Sequence, residues 1–206
     1  MLVRDRAGSL TDAQRNLIEQ AEKSCARMAG LLTELSDIAN LDAGTATFNR
    51  SRVDLFPLFD EVAEELRGTG EQPLEVEVRG ENGPAILDGD STRLRAAFSA
   101  IGRAVSREQF ANPRLVIDRA VVPQGDGAVA VILVGDDTAF EPMRTADLEQ
   151  LGAFDELRGG LGLALPAARR VIEAHGGQIR APKPPHERVA AAVRLPVQAA
   201  GNGRPR

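Results

Sequence analysis

The sequence predicts an α+β fold in which one long amphipathic helix precedes a region of helices and strands. Three observations carry this prediction: a stripe of apolar residues through positions 17–38, strand-like segments at 74–78 and 114–134, and a glycine cluster at 159–162 that opens an apolar helix. The chain has 206 residues, which suffices for one large domain or two small ones.

The long helix begins where Thr11 and Gln14 show the spacing of a capping box. The apolar stripe then repeats at intervals of four and three residues, at Leu17, Ala21, Ser24, Met28, Leu31, Leu35 and Ile38. Gly44 suits the left-handed conformation that ends a helix. Because one helix cannot bury this stripe alone, we expect the helix to dimerise, to pack on the rest of the chain, or to pair with a helix encoded upstream. Residues 1–8 resemble the last turn of such a preceding helix, and a start codon upstream of Met1 would supply the rest of it.

The helices and strands that follow are predicted from helix-capping residues, turn residues and the alternation of apolar with polar residues. Asp54 is the predicted N-cap of a helix that runs to about residue 66. Further elements are predicted as strands at 73–79 and 85–87, a helix at 93–107, strands at 114–122 and 128–134 joined by a Gly-containing turn, and closing strands at 177–181 and 189–195.

Composition narrows the class of protein. The formal net charge of −5 argues against a nucleic-acid partner. A single cysteine, Cys25, excludes an internal disulfide and suits a reducing compartment. No apolar run approaches the roughly 20 residues that a membrane-spanning helix needs. We therefore expect a cytoplasmic chain with no membrane segment.

Two features point to a ligand from local sequence alone. Asp136 follows a predicted buried strand, at the mouth of a sheet, and the glycine cluster offers free N–H groups at a helix start. Each also has an ordinary explanation, a solvated turn residue and a tight helix entry. On the residues alone, both explanations stay open.

From Thr11 to Pro196 the chain resembles the second half of a histidine kinase dimerisation hairpin followed by the ATP-binding domain. The matching stretches are LTDAQRNLIEQAEKSCARMAGLLTELSDIANLDAG, VDLFPLFDEVAEEL, DSTRLRAAFSAIGRAV, ILVGDD and GGLGLALPAARRVIEAHGGQI. The resemblance implies a histidine kinase/Hsp90-like ATPase fold, an α/β sandwich with a mixed sheet of about five strands backed by three helices. It also implies ATP and Mg²⁺ as cofactors, dimerisation through the N-terminal helix, and docking of a response-regulator receiver domain.

The domains expected from this resemblance are a partial dimerisation hairpin (1–44), a linker (45–53), an ATPase domain (54–197) and a disordered tail (198–206). The family's phosphoacceptor is a histidine on the first hairpin helix. This chain has two histidines, His175 and His186, and neither lies on the hairpin. The resemblance gives His175 a structural place in the AHGG turn. We therefore expect no catalytic residue in the chain as it stands.

The metal position departs from the family as well. Aligning Asp90 and the following RLR places Ala100 and Ala104 where the family has two asparagines, the second of which coordinates Mg²⁺. Alanine offers no oxygen to a cation that requires an octahedral oxygen shell. The family also has a basic residue that faces the ATP phosphates, and the resemblance places Arg107, which carries the same charge, at that position. No metal ligand is therefore expected.

The two glycine motifs are altered to different degrees. Asp136 is present in the role of contacting the adenine amino group, but Thr138 and Phe140 replace the glycines that follow. We expect the Phe140 ring to fill the space where adenine and the lid would lie. The later cluster appears as Arg158, Gly160 and Gly162, with its first glycine lost, and Arg158 can still meet a phosphate as a charge.

Two functions follow from these departures. The favoured one is a degenerate kinase core that acts as a dimerising and receiver-docking module in two-component signalling, with ATP and Mg²⁺ binding doubtful. The alternative is an active ATP-binding core whose phosphoacceptor histidine lies upstream or on a partner chain.

Overall fold

The computed structural model describes residues 10–68 (apart from the Arg27 side chain), 74–81, 83–108, 114–125, 127–136, 140, 143, 151–156, 162–182 and 190–198. Its first element is α1 (Asp12–Asp42), and the predicted capping box is present at its start. The Gln14 N–H donates to Thr11 Oγ1 at 3.3 Å, and the Thr11 N–H donates to Gln14 Oε1 at 3.0 Å. Gly44, just beyond the helix, has φ +67°, as predicted.

The apolar stripe of α1 is divided between solvent and the rest of the chain. Leu17, Met28, Leu31 and Leu35 are 42–66% exposed, whereas Ile38 is 7% exposed. The C-terminal part of α1 packs against α4 (Ala164–Ala174). Cys25, in the middle of α1, is exposed. The C-terminal end of the predicted dimer face is therefore covered by α4, and the other four leucine and methionine side chains of that face are exposed to solvent.

Six strands form the main sheet in the order β2-β4-β5-β8-β7-β6. Their bounds are β2 Glu75–Gly80, β4 Arg114–Gln124, β5 Gly127–Gly135, β6 Gly152–Ala153, β7 Gln178–Ala181 and β8 Ala190–Val197. The β2 and β4 strands are parallel and the other neighbours are antiparallel, so the sheet is mixed as expected. The strand beyond the expected five is β6, whose two residues are too short for a periodic signal.

A separate ribbon joins β1 (Ser51–Asp54) to β3 (Ile86–Gly89). The last three residues of the predicted linker (45–53) pair instead with a strand more than thirty residues away. Asp54 then leads into α2 (Leu55–Gly68) and accepts hydrogen bonds from the N–H groups of Phe56 and Ala85. The predicted cap of α2 therefore also attaches the ribbon to the helix.

Three helices, α2, α3 (Ser91–Glu108) and α4, share the main core with one face of the sheet. Alternation along each strand divides its side chains between the two faces. In β4, Leu115 and Ile117 enter this core, and Val116 belongs to a second, smaller cluster. That second cluster therefore lies on the sheet face opposite the helices. The three-helix sandwich predicted from the resemblance is confirmed.

Within the described residues, no helix combines the length and apolar character that crossing a bilayer requires.

Candidate nucleotide-type site and the cleft beside it

The start of α3 is attached to the end of α4 through two buried side chains. Asp90 caps α3 by accepting the Arg93 N–H at 3.0 Å, and it accepts the Asn49 N–H at 2.9 Å through its other oxygen. The Asp90 N–H donates to His175 Nε2 at 3.0 Å, and His175 Nδ1 lies 2.7 Å from the Val171 carbonyl. The link therefore fixes how α3 and α4 meet.

These hydrogen bonds define the protonation states of both side chains. Since His175 Nε2 accepts the hydrogen bond from the Asp90 N–H, this nitrogen carries no hydrogen, so Nδ1 carries it and the ring is neutral. Burial lowers the pKa of His175 below its ordinary value, although the bond to Val171 opposes this shift. Burial alone would raise the pKa of Asp90, but the N–H groups of Arg93 and Asn49 hold it below its ordinary value. A neutral imidazole thus lies beside a carboxylate, and His175 has the structural place expected for it.

An open cleft of about 560 Å³ lies between α1, α3 and α4. We call it the α1–α3–α4 cleft. Its walls from α3 and α4 consist largely of small side chains: Ala96, Ala97, Ala100, Ala164, Ala167 and Ala168. Its α1 wall contributes Glu34, Asp37 and Leu41. The first of the two family asparagine positions, Ala100, therefore faces this cleft.

The second asparagine position is enclosed. Ala104 is 0% exposed and belongs to the main core, and Ala100 is 4% exposed. Arg107 lies one turn further along α3. It is exposed and interacts with another residue of the chain. The structure thus places methyl groups where the resemblance implies a metal-binding amide.

The glycine turn before α4 is described only in part. Gly162 has φ +63°, which a glycine adopts at no steric cost. No side chain caps the α4 N-terminus at Leu163, so its first N–H groups lack that kind of partner. Arg158 and Gly160, the other two candidate phosphate contacts, lie outside the described residues.

Asp136 directly follows β5, as predicted. Its side chain is half-buried, and the residue interacts with another residue of the chain. Thr138 lies outside the described residues. The expectation for Phe140 is not met, because its ring is 1% exposed in the cluster on the sheet face opposite the helices. There it packs with Val116 and Leu133, and the Arg79 guanidinium lies 5.8 Å from the ring centre. An apolar ring gains more by covering that apolar face than by entering a polar ligand site.

Sequence reasoning did not find the pairing of His175 with Asp90 or the acidic wall of the cleft. The two partners of the first are 85 residues apart. The second joins α1 to helices that come much later in the chain. The cap-rich turn at 88–91 and the AHGG motif were visible signals, but neither reveals its distant partner.

Comparison with curated proteins finds sensor proteins among the relatives of this chain. No protein-family model matches the chain. It is 26% identical over 193 residues to the sensor protein ChvG of Rhizobium meliloti, covering 82% of this chain and 31% of that protein. It is 31% identical over 140 residues to the sensor protein CutS of Streptomyces coelicolor, covering 64% of this chain and 32% of that protein. The chain thus spans about a third of the length of these curated relatives.

The fold also has solved counterparts. Full-length ShkA in complex with AMPPNP matches with a TM-score of 0.67 and 20% identity, over 95% of this chain and 41% of that one. At this identity the likeness concerns the fold. Together with the sensor-protein relatives, the mixed sheet backed by three helices and the preceding long helix support a sensor histidine kinase core.

Proposed function

We propose that the chain is a degenerate histidine kinase core that acts as a dimerising and receiver-docking module in two-component signalling. The observation that carries this proposal is the face of α3. Ala100 and Ala104 stand at the two positions where the resemblance implies asparagines, and Ala104 is 0% exposed. A neighbouring side chain would have to enter the main core to bring an oxygen to that point.

The energetic argument concerns the metal. Phosphoryl transfer depends on positioning and on charge neutralisation by Mg²⁺, with little covalent chemistry supplied by the protein. Mg²⁺ requires oxygen ligands in near-octahedral geometry, and a methyl group supplies none. Loss of the ligand therefore affects the main catalytic contribution, while the fold and the docking surfaces remain intact. Such a chain retains the binding roles of a kinase core without its transfer chemistry.

The exposed part of α1 supports the docking half of the proposal. Leu17, Met28, Leu31 and Leu35 present apolar side chains along one helix, and isolated exposed helices of this kind usually gain a partner. We propose that a second copy or a related chain covers this stripe, with a receiver domain against the outer face of the same helix. In this proposal the domains are those expected from the sequence: a partial hairpin (1–44), a linker (45–53) and an ATPase-type domain (54–197).

The second candidate function is an active ATP-binding core that receives its phosphoacceptor histidine from elsewhere. The N-terminus of α4, with Gly162 before it and no capping side chain, favours this candidate. Helix N-termini of this kind suit an anion. Asp136 at the end of β5, Arg107, Arg158 and Gly160 would complete the nucleotide contacts.

The experiment that separates the two uses radiolabelled ATP and Mg²⁺. The chain is mixed with a dimerisation hairpin that carries a histidine and is taken from an active kinase of this family. We expect no label on the hairpin, while size-exclusion chromatography with light scattering reports a dimer or a mixed complex. Label on the hairpin at more than the background rate would favour the active core. A strictly monomeric chain at micromolar concentration would contradict the docking role.

A further inference from the structure

The segment between α1 and β1, residues 45–50, is attached at both of its ends, and we call it the strap. Its first two N–H groups donate to the Asn40 carbonyl of α1 at 2.9 and 3.0 Å. The Asn49 N–H donates to Asp90 Oδ2 at 2.9 Å. Arg50 donates to the carbonyl of the last α4 residue at 2.7 Å and to a β3 carbonyl at 3.2 Å. The strap therefore ties the end of α1 to the junction of α3 and α4.

The Phe48 ring lies at the centre of the second attachment. The guanidinium carbons of Arg50 and Arg93 are 5.2 and 5.4 Å from the centre of this ring. The His175 ring meets it edge-on, with the centres 5.3 Å apart. Phe48 is half-buried and its two neighbours in the strap, Asn49 and Arg50, are exposed, whereas His175 is buried. Since surface segments with few buried contacts open at a lower free energy than the core unfolds, the strap can open locally.

The strap covers a histidine whose neutral form holds the junction together. His175 Nε2 accepts the Asp90 N–H at 3.0 Å, so this nitrogen carries no hydrogen while the bond exists. Arg50 acts on the ring from the strap, and Asp88 and Asp90 act on it from β3 and from the start of α3. Arg93 of α3 lies against Phe48, next to the ring. Protonation of His175 therefore changes the charge of a group on which all these contacts meet.

The direction of the pH effect follows from the closed strap. Burial above all, with a further contribution from the Arg50 charge, lowers the pKa of His175, against opposition from the Val171 carbonyl and the two aspartates. Once Phe48 and Arg50 leave the ring, its pKa returns toward the ordinary value of about 6.5. A proton then binds the open form more tightly than the closed form. Each pH unit below about 6.5 raises the ratio of open to closed strap by up to about tenfold, and above that pH the ratio is constant.

We propose that acid releases the strap: protonation of His175 detaches residues 48–50 from the junction of α3 and α4. A protonated Nε2 turns a hydrogen toward the Asp90 N–H, which is also a donor, and adds positive charge to a group that already holds Arg50 and Arg93. Because the strap joins α1 to β1, its release frees the direction of α1 relative to the core, apart from the contact of α1 with α4. The proposal needs neither ATP nor a receiver domain, so it stands or fails apart from the proposed function.

The test is an NMR titration of the full, isotope-labelled chain between pH 7.5 and 5.0, without nucleotide. The Asn49 amide reports its bond to Asp90, and the imidazole signals of His175 report protonation. We expect both to move with one common midpoint below pH 6.5, while the amides of β4 and β5 keep their native shifts. A ring that titrates while the Asn49 amide stays in place would overturn the proposal. So would a strap that opens only together with the main sheet, or no change down to pH 5.0.

Variants separate the strap from a general effect of charge. His175→Gln keeps an acceptor for the Asp90 N–H but takes up no proton, so its Asn49 amide should stay in place to pH 5.0. Arg50→Gln should raise the midpoint, because it removes two bonds of the strap and a positive charge beside the ring. The matched control is Arg52→Gln, an exposed arginine two residues further along, which should leave the midpoint unchanged. Equal shifts in Arg50→Gln and Arg52→Gln would contradict a specific role of the strap.

Discussion

Replacing His175 with alanine should destabilise the fold by an amount that the structure allows us to work out. The imidazole is 7% exposed and accepts the Asp90 N–H at 3.0 Å. Its ring also meets the Phe48 ring edge-on, with the centres 5.3 Å apart. Alanine removes both interactions and leaves the Asp90 N–H buried without an acceptor. It also removes the bond from Nδ1 to the Val171 carbonyl, but that carbonyl still accepts the backbone N–H of residue 175.

The magnitude follows from these two losses. A buried donor that loses its acceptor costs about 1–3 kcal/mol, and an edge-on aromatic contact contributes about 0.5–1.5 kcal/mol. The free energy of unfolding should therefore fall by about 1.5–4.5 kcal/mol. For a chain of this size that corresponds to a fall in melting temperature of roughly 3–18 °C.

Urea denaturation followed by circular dichroism measures this change, with calorimetry for the melting temperature. His175→Gln is the matched control, because a glutamine oxygen can reach the position of Nε2 and accept the same N–H. We expect the glutamine variant to recover a substantial part of the loss. A change below about 0.5 kcal/mol in the alanine variant, the size of an ordinary surface substitution, would show that the link between α3 and α4 carries no stability.

Three further predictions concern pH, packing and the contact of α1. The neutral form of His175 is favoured in the fold, so urea midpoints should be constant above about pH 6.5 and fall as the pH drops below it; His175→Gln should flatten this decline, and an equal decline in both proteins would refute the assignment. Gly177→Ala should destabilise by about 1–3 kcal/mol, since a Cβ there would lie 2.6 Å from the Arg194 carbonyl oxygen, whereas Gly30→Ala on α1 meets nothing and should be neutral or stabilising. Arg170→Gln should speed hydrogen exchange in the last two turns of α1, because Arg170 Nη2 bonds Asp42 at 3.0 Å; unchanged exchange would show that this pair does not hold the helix.

Local signals predicted the elements they belong to. The capping box at Thr11 and Gln14 defines the start of α1, and the alternation at 114–134 defines β4 and β5. In each case the residues that determine the element are neighbours in sequence, so periodicity and cap chemistry suffice.

What the sequence missed depends on distant partners. Ribbon β1–β3 joins two four-residue strands that lie more than thirty residues apart in sequence. Phe140 was expected to fill the space where adenine and the lid would lie, but the apolar face that buries it is formed by residues of β4, β5 and β8. Ile38 belongs to the predicted dimer stripe and is nevertheless buried within the chain. Since these outcomes depend on tertiary contacts, no local pattern contains them.

The central claim is that the altered α3 face prevents productive binding of Mg·ATP. Calorimetric titration of ATP, with and without Mg²⁺, into the unaltered chain tests it most directly, alongside the Ala100→Asn/Ala104→Asn double variant as an attempt to restore the missing oxygens. The account predicts no Mg²⁺-dependent binding by the unaltered chain. Micromolar, Mg²⁺-dependent binding by that chain would contradict it, because another residue would then be supplying the ligand that Ala104 lacks.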